Sequence, residues 1–163
     1  MASASAAAHD DCGLAALLLG TWSRALAVRD LASGALLRAS NATLRIEALA
    51  DAAAAPGTAW LQWHHAPDDE AAAAQPWLSM NVHEADYDRQ VRVEWSYGDR
   101  RQEGWFDEAA QTLTMVFKLP AHSVTYTYRV LDPDTLVVCV VDCDARHAPT
   151  VQTGLMRRVV GER

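Results

Sequence analysis

The chain has 163 residues, with 14 Lys and Arg against 21 Asp and Glu, for a formal net charge of −7. That length suits one domain that buries a core of its own, and an apolar half is the composition of a folded protein. An acidic chain without a basic stripe repels a polyphosphate backbone, so nucleic acid is excluded as the expected partner.

Three cysteines, Cys12, Cys139 and Cys143, are an odd number at unpatterned spacing. No disulfide framework is indicated, and a reducing compartment such as the cytoplasm is the expected setting. Residues 1–10, rich in Ala and Ser, are expected to be a flexible N-terminus, with one domain over 11–163. They lack the basic region of a secretory signal. The apolar run Leu14 to Leu19 is far shorter than the ~20 residues a membrane span needs.

In chain order, Asp10 or Asp11 can cap a short helix over Leu14 to Leu19, which Gly20 stops. Thr21 to Val28 then alternates with Trp22, Leu26 and Val28 on one side, although Arg24 interrupts the pattern. Ala42 to Leu49 sets Leu44, Ile46 and Ala48 against Thr43, Arg45 and Glu47, the period of a half-buried strand. Thr58 to His65 carries Trp60 and Gln62 on one face and Leu61 and Trp63 on the other. The Ala-rich residues 71–74 lack an apolar stripe and are expected to be a solvated loop.

Trp77 to His83 shows Leu78, Met80 and Val82 on one face. Val91, Val93, Trp95 and Tyr97 then alternate with Arg92, Glu94 and Ser96, and Gly98-Asp99 signals a hairpin turn. Gln102 to Asp107 is a short strand. After it, Leu113, Met115 and Phe117 oppose Thr112, Thr114 and Lys118, and His122, Val124, Tyr126, Tyr128 and Val130 oppose Ser123, Thr125, Thr127 and Arg129. Leu136 to Val141 is apolar on both faces, and Thr150 to Val160 closes the chain. About ten short strands joined mainly by tight turns predict an all-β, single up-and-down antiparallel barrel with a short N-terminal helix, since closure removes exposed sheet edges.

The short helix leading into Gly20-Thr21-Trp22, the run of hairpins and the terminal pair Arg157-Arg158 resemble the calycin superfamily, the lipocalins and fatty-acid-binding proteins and their relatives. The resemblance covers nearly the whole chain and implies a lipocalin-like barrel. It implies that Trp22 stacks on Arg157 or Arg158 to close one end, a cation–π contact worth ~0.5–2 kcal/mol. The helix-turn-helix lid of fatty-acid-binding proteins has no room between the first two strands here. Haem-binding and bilin-attaching barrels are further relatives, whose haem-ligating segment and C-terminal motif, respectively, are not matched.

One face of such a barrel lines either a packed core or a ligand cavity. The candidate lining residues are Trp60, Met80, Trp95, Tyr97, Met115, Phe117, Tyr126 and Tyr128, where a buried phenol wants a hydrogen-bond partner. His122, at the head of an apolar face, is the candidate haem or metal ligand. Cys139 and Cys143 are read as inert buried thiols. Asp142, Asp144 and His147 are read as a solvated turn rather than a cation site.

No nucleophile elbow, phosphate loop or zinc-protease helix is present, and no catalytic residue is assigned. The expected function is non-catalytic binding of a small hydrophobic or amphipathic molecule, with no cofactor required. The alternative is a filled barrel that docks to other proteins as a structural subunit, and a haem-bearing or bilin-handling barrel ranks third.

Overall fold

The computed structural model describes residues 13–49, 58–65, 78–83, 90–97 and 100–160. One helix, α1 (Gly13–Leu18), precedes ten strands: β1 (Gly20–Asp30), β2 (Leu36–Leu49), β3 (Thr58–His65), β4 (Leu78–His83), β5 (Gln90–Tyr97), β6 (Arg100–Asp107), β7 (Thr112–Leu119), β8 (His122–Asp132), β9 (Thr135–Asp144) and β10 (Thr150–Arg158). Each strand pairs antiparallel with the next, and β10 returns to β1, so the sheet closes on itself. The expected all-β, up-and-down barrel with a short N-terminal helix is therefore the observed fold. The proposed N-terminal caps, the Ala-rich loop and the Gly98-Asp99 turn lie outside the described residues. Among those residues no helix is long and apolar enough to cross a membrane.

Alternation decides which side chains face inward. Trp22 pairs with Leu44 and Arg158, Leu61 with Met80, Met80 with Trp95, Leu113 with Tyr128, and Tyr128 with Val138. Following these pairs around the barrel places one continuous apolar set on the inner surface, and its members are buried. The opposite set carries charge. Arg92, exposed on the outer surface, pairs with Glu94 at 3.6 Å. Leu136 to Val141, apolar on both faces, is buried only on the inside, while Val137, Cys139 and Val141 are half-buried outside.

The helix sits over one end. Leu14, Ala15 and Leu18 are buried, and the Trp22 indole N–H donates to the Leu18 carbonyl at 2.8 Å, so the first strand is tied to the last turn of α1. The Arg158 guanidinium lies over the Trp22 ring, 4.3 Å from its centroid. It donates to the carbonyls of Leu19, Leu17 and Pro133 and to the Asp134 carboxylate. Gly20 is required beside it. Its φ of +124° is one that other residues rarely adopt, and a Cβ there would stand 2.5 Å from the guanidinium. The closing residue is thus Arg158, and Arg157 is exposed on the outer face.

Candidate functional site

The barrel interior divides into two halves at an aromatic bridge. Trp63 on β3 and Tyr128 on β8 stand on opposite walls, five strands apart in either direction, yet their rings meet edge-on at 5.5 Å between centroids. The lumen is therefore filled at that level. On the helix side of the bridge Trp22, Ile46, Leu61, Met80, Leu113, Leu136 and Met156 are all at most 1% exposed, a packed core without room for a guest.

Toward the end opposite the helix, which we call the far end, the inward side chains are looser and more polar. Phe117 and Tyr126 are only half-buried, as are Gln102, His122, Asp142 and Gln152. Trp95 organises the wall, its ring 6.0 Å from Phe117 and 6.3 Å from Tyr126 between centroids. At the rim the His122 ring nitrogen Nε2 lies 2.7 Å from the Asp142 carboxylate, and the imidazole packs edge-on against Phe117. Asp144 forms a fork with Arg146 at 2.8 Å and 3.0 Å, and those hydrogen bonds hold its carboxyl well below the usual range.

Three polar groups on inward strand positions stand out. The Tyr128 hydroxyl and the Trp95 indole N–H are buried without a hydrogen-bond partner, and so is Nε of Arg24. Burial pushes the Tyr128 phenol far up, while the positive charge of Arg24 draws it the other way. The phenol is therefore a neutral donor at any ordinary pH. Buried polar groups in folded proteins are nearly always satisfied, so orphan donors on one inner surface are unusual.

The structure brings most of the expected lining residues to one inner surface. Met80, Trp95, Met115, Phe117, Tyr126 and Tyr128 share it, with Met80 and Met115 sealed among the core and the other four at or beyond the bridge. Trp60 is a correction. Register pairs it with Leu49 and Asn81, which puts it on the outer face. There it borders a cleft of about 250 Å³ with Gln62, Ser79, Glu94 and Arg101. The physical reason is that Leu61 and Trp63, both fully buried, claim the inner face of β3. The side chain of Tyr97 lies outside the described set.

His122 directs Nε2 at the Asp142 carboxylate, and no cluster of metal-ligating side chains occurs among the described residues. Cys143 is exposed and Cys139 half-buried, both on the outer face, so the expectation of two buried thiols is corrected. The residue that sequence reasoning passed over is Arg24. Its signal was its position, an arginine at an inward place in an apolar alternation.

No protein-family model matches the chain, and no curated protein matches it. Among solved structures it is similar to an S-type phycobiliprotein lyase from Guillardia theta. The TM-score is 0.59 at 15% identity, over 91% of this chain and 92% of that one. It is also similar to a redesigned β-barrel, at a TM-score of 0.38 and 16% identity, over 91% of this chain and 97% of that one. The first of these likenesses supports the fold, a closed antiparallel barrel.

Proposed function

We propose that this barrel is a non-catalytic binding module that takes a small amphipathic molecule into the lumen between the Trp63–Tyr128 bridge and the far rim. The observation that carries the reading is the pairing of aromatic walls with buried donors that have no partner, the Tyr128 hydroxyl and the Trp95 indole N–H. An apolar cavity with a few convergent polar groups is the usual form of a small-molecule site. A barrel of ten strands is also wider than the eight-stranded size that side chains alone fill, so one half can be packed while the other admits a guest.

A titration with the neutral fluorophore 1-aminoanthracene tests this. Saturable enhancement at one equivalent, with quenching of Trp emission, is the expected result. Absence of saturable binding would overturn the reading and leave the filled barrel that docks to other proteins. A second reading is supported by the likeness to a phycobiliprotein lyase, namely that the guest is a linear tetrapyrrole, the chromophore class of phycobiliproteins. A saturable shift of the visible band of biliverdin on adding the protein supports it, and an unchanged spectrum removes it.

A further inference from the structure

The register sets two rows of side chains next to each other on the outer face of β2 to β6. One row runs Leu49, Trp60, Asn81 and Glu94, and the row beside it runs Gln62, Ser79, Ser96 and Arg101. Side chains directly opposed in such rows stand about 4.5–5.5 Å apart at Cβ, so the two rows form one small patch. All of them except Asn81 line the cleft of about 250 Å³ beside Trp60. Asn81 stands between Trp60 and Glu94, is 8% exposed, and has its amide oxygen enclosed without a hydrogen-bond partner. Enclosing an acceptor without a partner costs stability. This one lies on the outer face of the barrel, away from the core.

The chemistry of the patch selects its ligand. Trp60, half-buried, gives the cleft an aromatic wall. Around it Gln62, Ser79 and Ser96 can both donate and accept hydrogen bonds, Arg101 only donates, and Glu94 only accepts. The one positive and the one negative charge balance. Arg92 lies 3.6 Å from the Glu94 carboxylate and 4.0 Å from that of Glu103, and a carboxylate so paired keeps further lone pairs for a ligand. The complement of such a surface is neutral, carries groups that donate and accept at once, and has one apolar face. That describes a sugar ring, whose hydroxyls lie around its edge and whose C–H bonds meet the negative face of an aromatic ring. A purely hydrophobic molecule would leave the polar groups without partners, and an anion would meet Glu94 as readily as Arg101. An extended peptide finds no strand edge here, because β3, β4 and β5 are each paired on both sides.

We propose that this outer cleft is a saccharide-binding site, with Trp60 as the stacking platform and Gln62, Glu94 and Arg101 as the groups that hold the ring hydroxyls. It is separate from the lumen, since the same strands turn Leu61, Met80 and Trp95 inward and the barrel wall lies between. A cleft of about 250 Å³ is smaller than the ~300–1,000 Å³ of drug-sized sites and suits one sugar unit. A second cleft, of about 500 Å³, is lined by Gln102, Glu103, Val116 and Lys118 and shares Glu94 and Arg101 with the first. The groove therefore continues from Trp60 toward β7, and the ligand that fills it is an oligosaccharide rather than a single sugar.

The test is saturation-transfer difference NMR with cellotetraose, maltotetraose and mannotetraose, titrated into wild type, Trp60→Ala, Glu94→Gln, Arg101→Met and Trp105→Ala, with circular dichroism to confirm folding. Wild type should bind at least one of the three saturably. Trp60→Ala should weaken that binding about tenfold, as expected for loss of a stacking aromatic. Glu94→Gln and Arg101→Met should each weaken it as well. Trp105→Ala removes an exposed tryptophan of β6 that does not line the cleft, and should bind as wild type does. If Trp60→Ala does not fold, Glu94→Gln and Arg101→Met decide. No saturable binding of any of the three saccharides overturns the site, as does binding that Trp60→Ala, or both of the other cleft variants, leave unchanged. Equal loss in Trp105→Ala overturns it too. Binding that 1-aminoanthracene abolishes would place the sugar in the lumen and overturn the outer site while leaving the binding module standing.

Discussion

Arg158 and Arg24 both stand at inward strand positions, and their surroundings differ in kind. Arg158 spends its donors on three backbone carbonyls and a carboxylate and lays its charge over Trp22. Arg24 stands about one turn of the alternation away, on the next inward position of β1 after Trp22, and has Nε buried with no partner. The first arginine completes the architecture of the helix end. The second leaves one enclosed nitrogen without a partner. The difference teaches that inward charge alone does not define a role, because what decides it is whether the protein itself satisfies the charge.

The comparison breaks most readily at Trp22. Trp22→Ala removes a fully buried indole, its hydrogen bond to Leu18 and the platform under Arg158. A loss of about 3–5 kcal/mol in chemical denaturation is expected. Unfolding that matched wild type would mean that the helix end is not the anchor of the fold. Arg158→Met should cost less, about 2–3 kcal/mol, because it leaves the carbonyls of Leu17, Leu19 and Pro133 without their donor.

Smaller effects sharpen the other half. Tyr128→Phe deletes a hydroxyl that has no partner and keeps the ring that meets Trp63, so its stability should stay within about 0.5 kcal/mol of wild type. A clear loss in thermal unfolding would point to a structural role for that hydroxyl. At the rim, the side-chain and backbone hydrogen bonds from Arg146 lower the Asp144 pKa from its ordinary 3.8. A carboxyl depressed in the folded state contributes stability above its unfolded value, and that contribution disappears as pH falls through the folded one. Asp144→Asn should therefore unfold slightly more easily than wild type at neutral pH and converge with it in acid. Because Arg146 is exposed, added salt should shrink the difference.

Much of the fold was legible because period-2 alternation is strong in β5, β7 and β8, where Val93, Met115 and Val124 fall on one face without exception. The Gly20-Thr21-Trp22 start of β1 and the terminal arginines told of the closed end for a similarly direct reason, since a glycine, an indole and a guanidinium pack together there. The first half of β2 was not legible. Leu36 to Asn41 is exposed except at half-buried Ser40, and it is a strand because β1 pairs with it, not because of any pattern of its own. Trp60 misled because both faces of β3 carry tryptophan, so size could not tell inside from outside. Arg24 misled because apolar periodicity treats an inward charge as noise, whereas inside a barrel it is a chemical demand.

The most direct test of the account is equilibrium unfolding of ligand-stripped wild type beside Arg158→Met and Arg24→Met. A satisfied arginine should be missed and an unsatisfied one should not: Arg158→Met is expected to be clearly less stable, and Arg24→Met about as stable as wild type, because Arg24 is half-buried and its enclosed Nε has no partner to lose. If Arg24→Met instead loses as much stability as Arg158→Met, both arginines are structural.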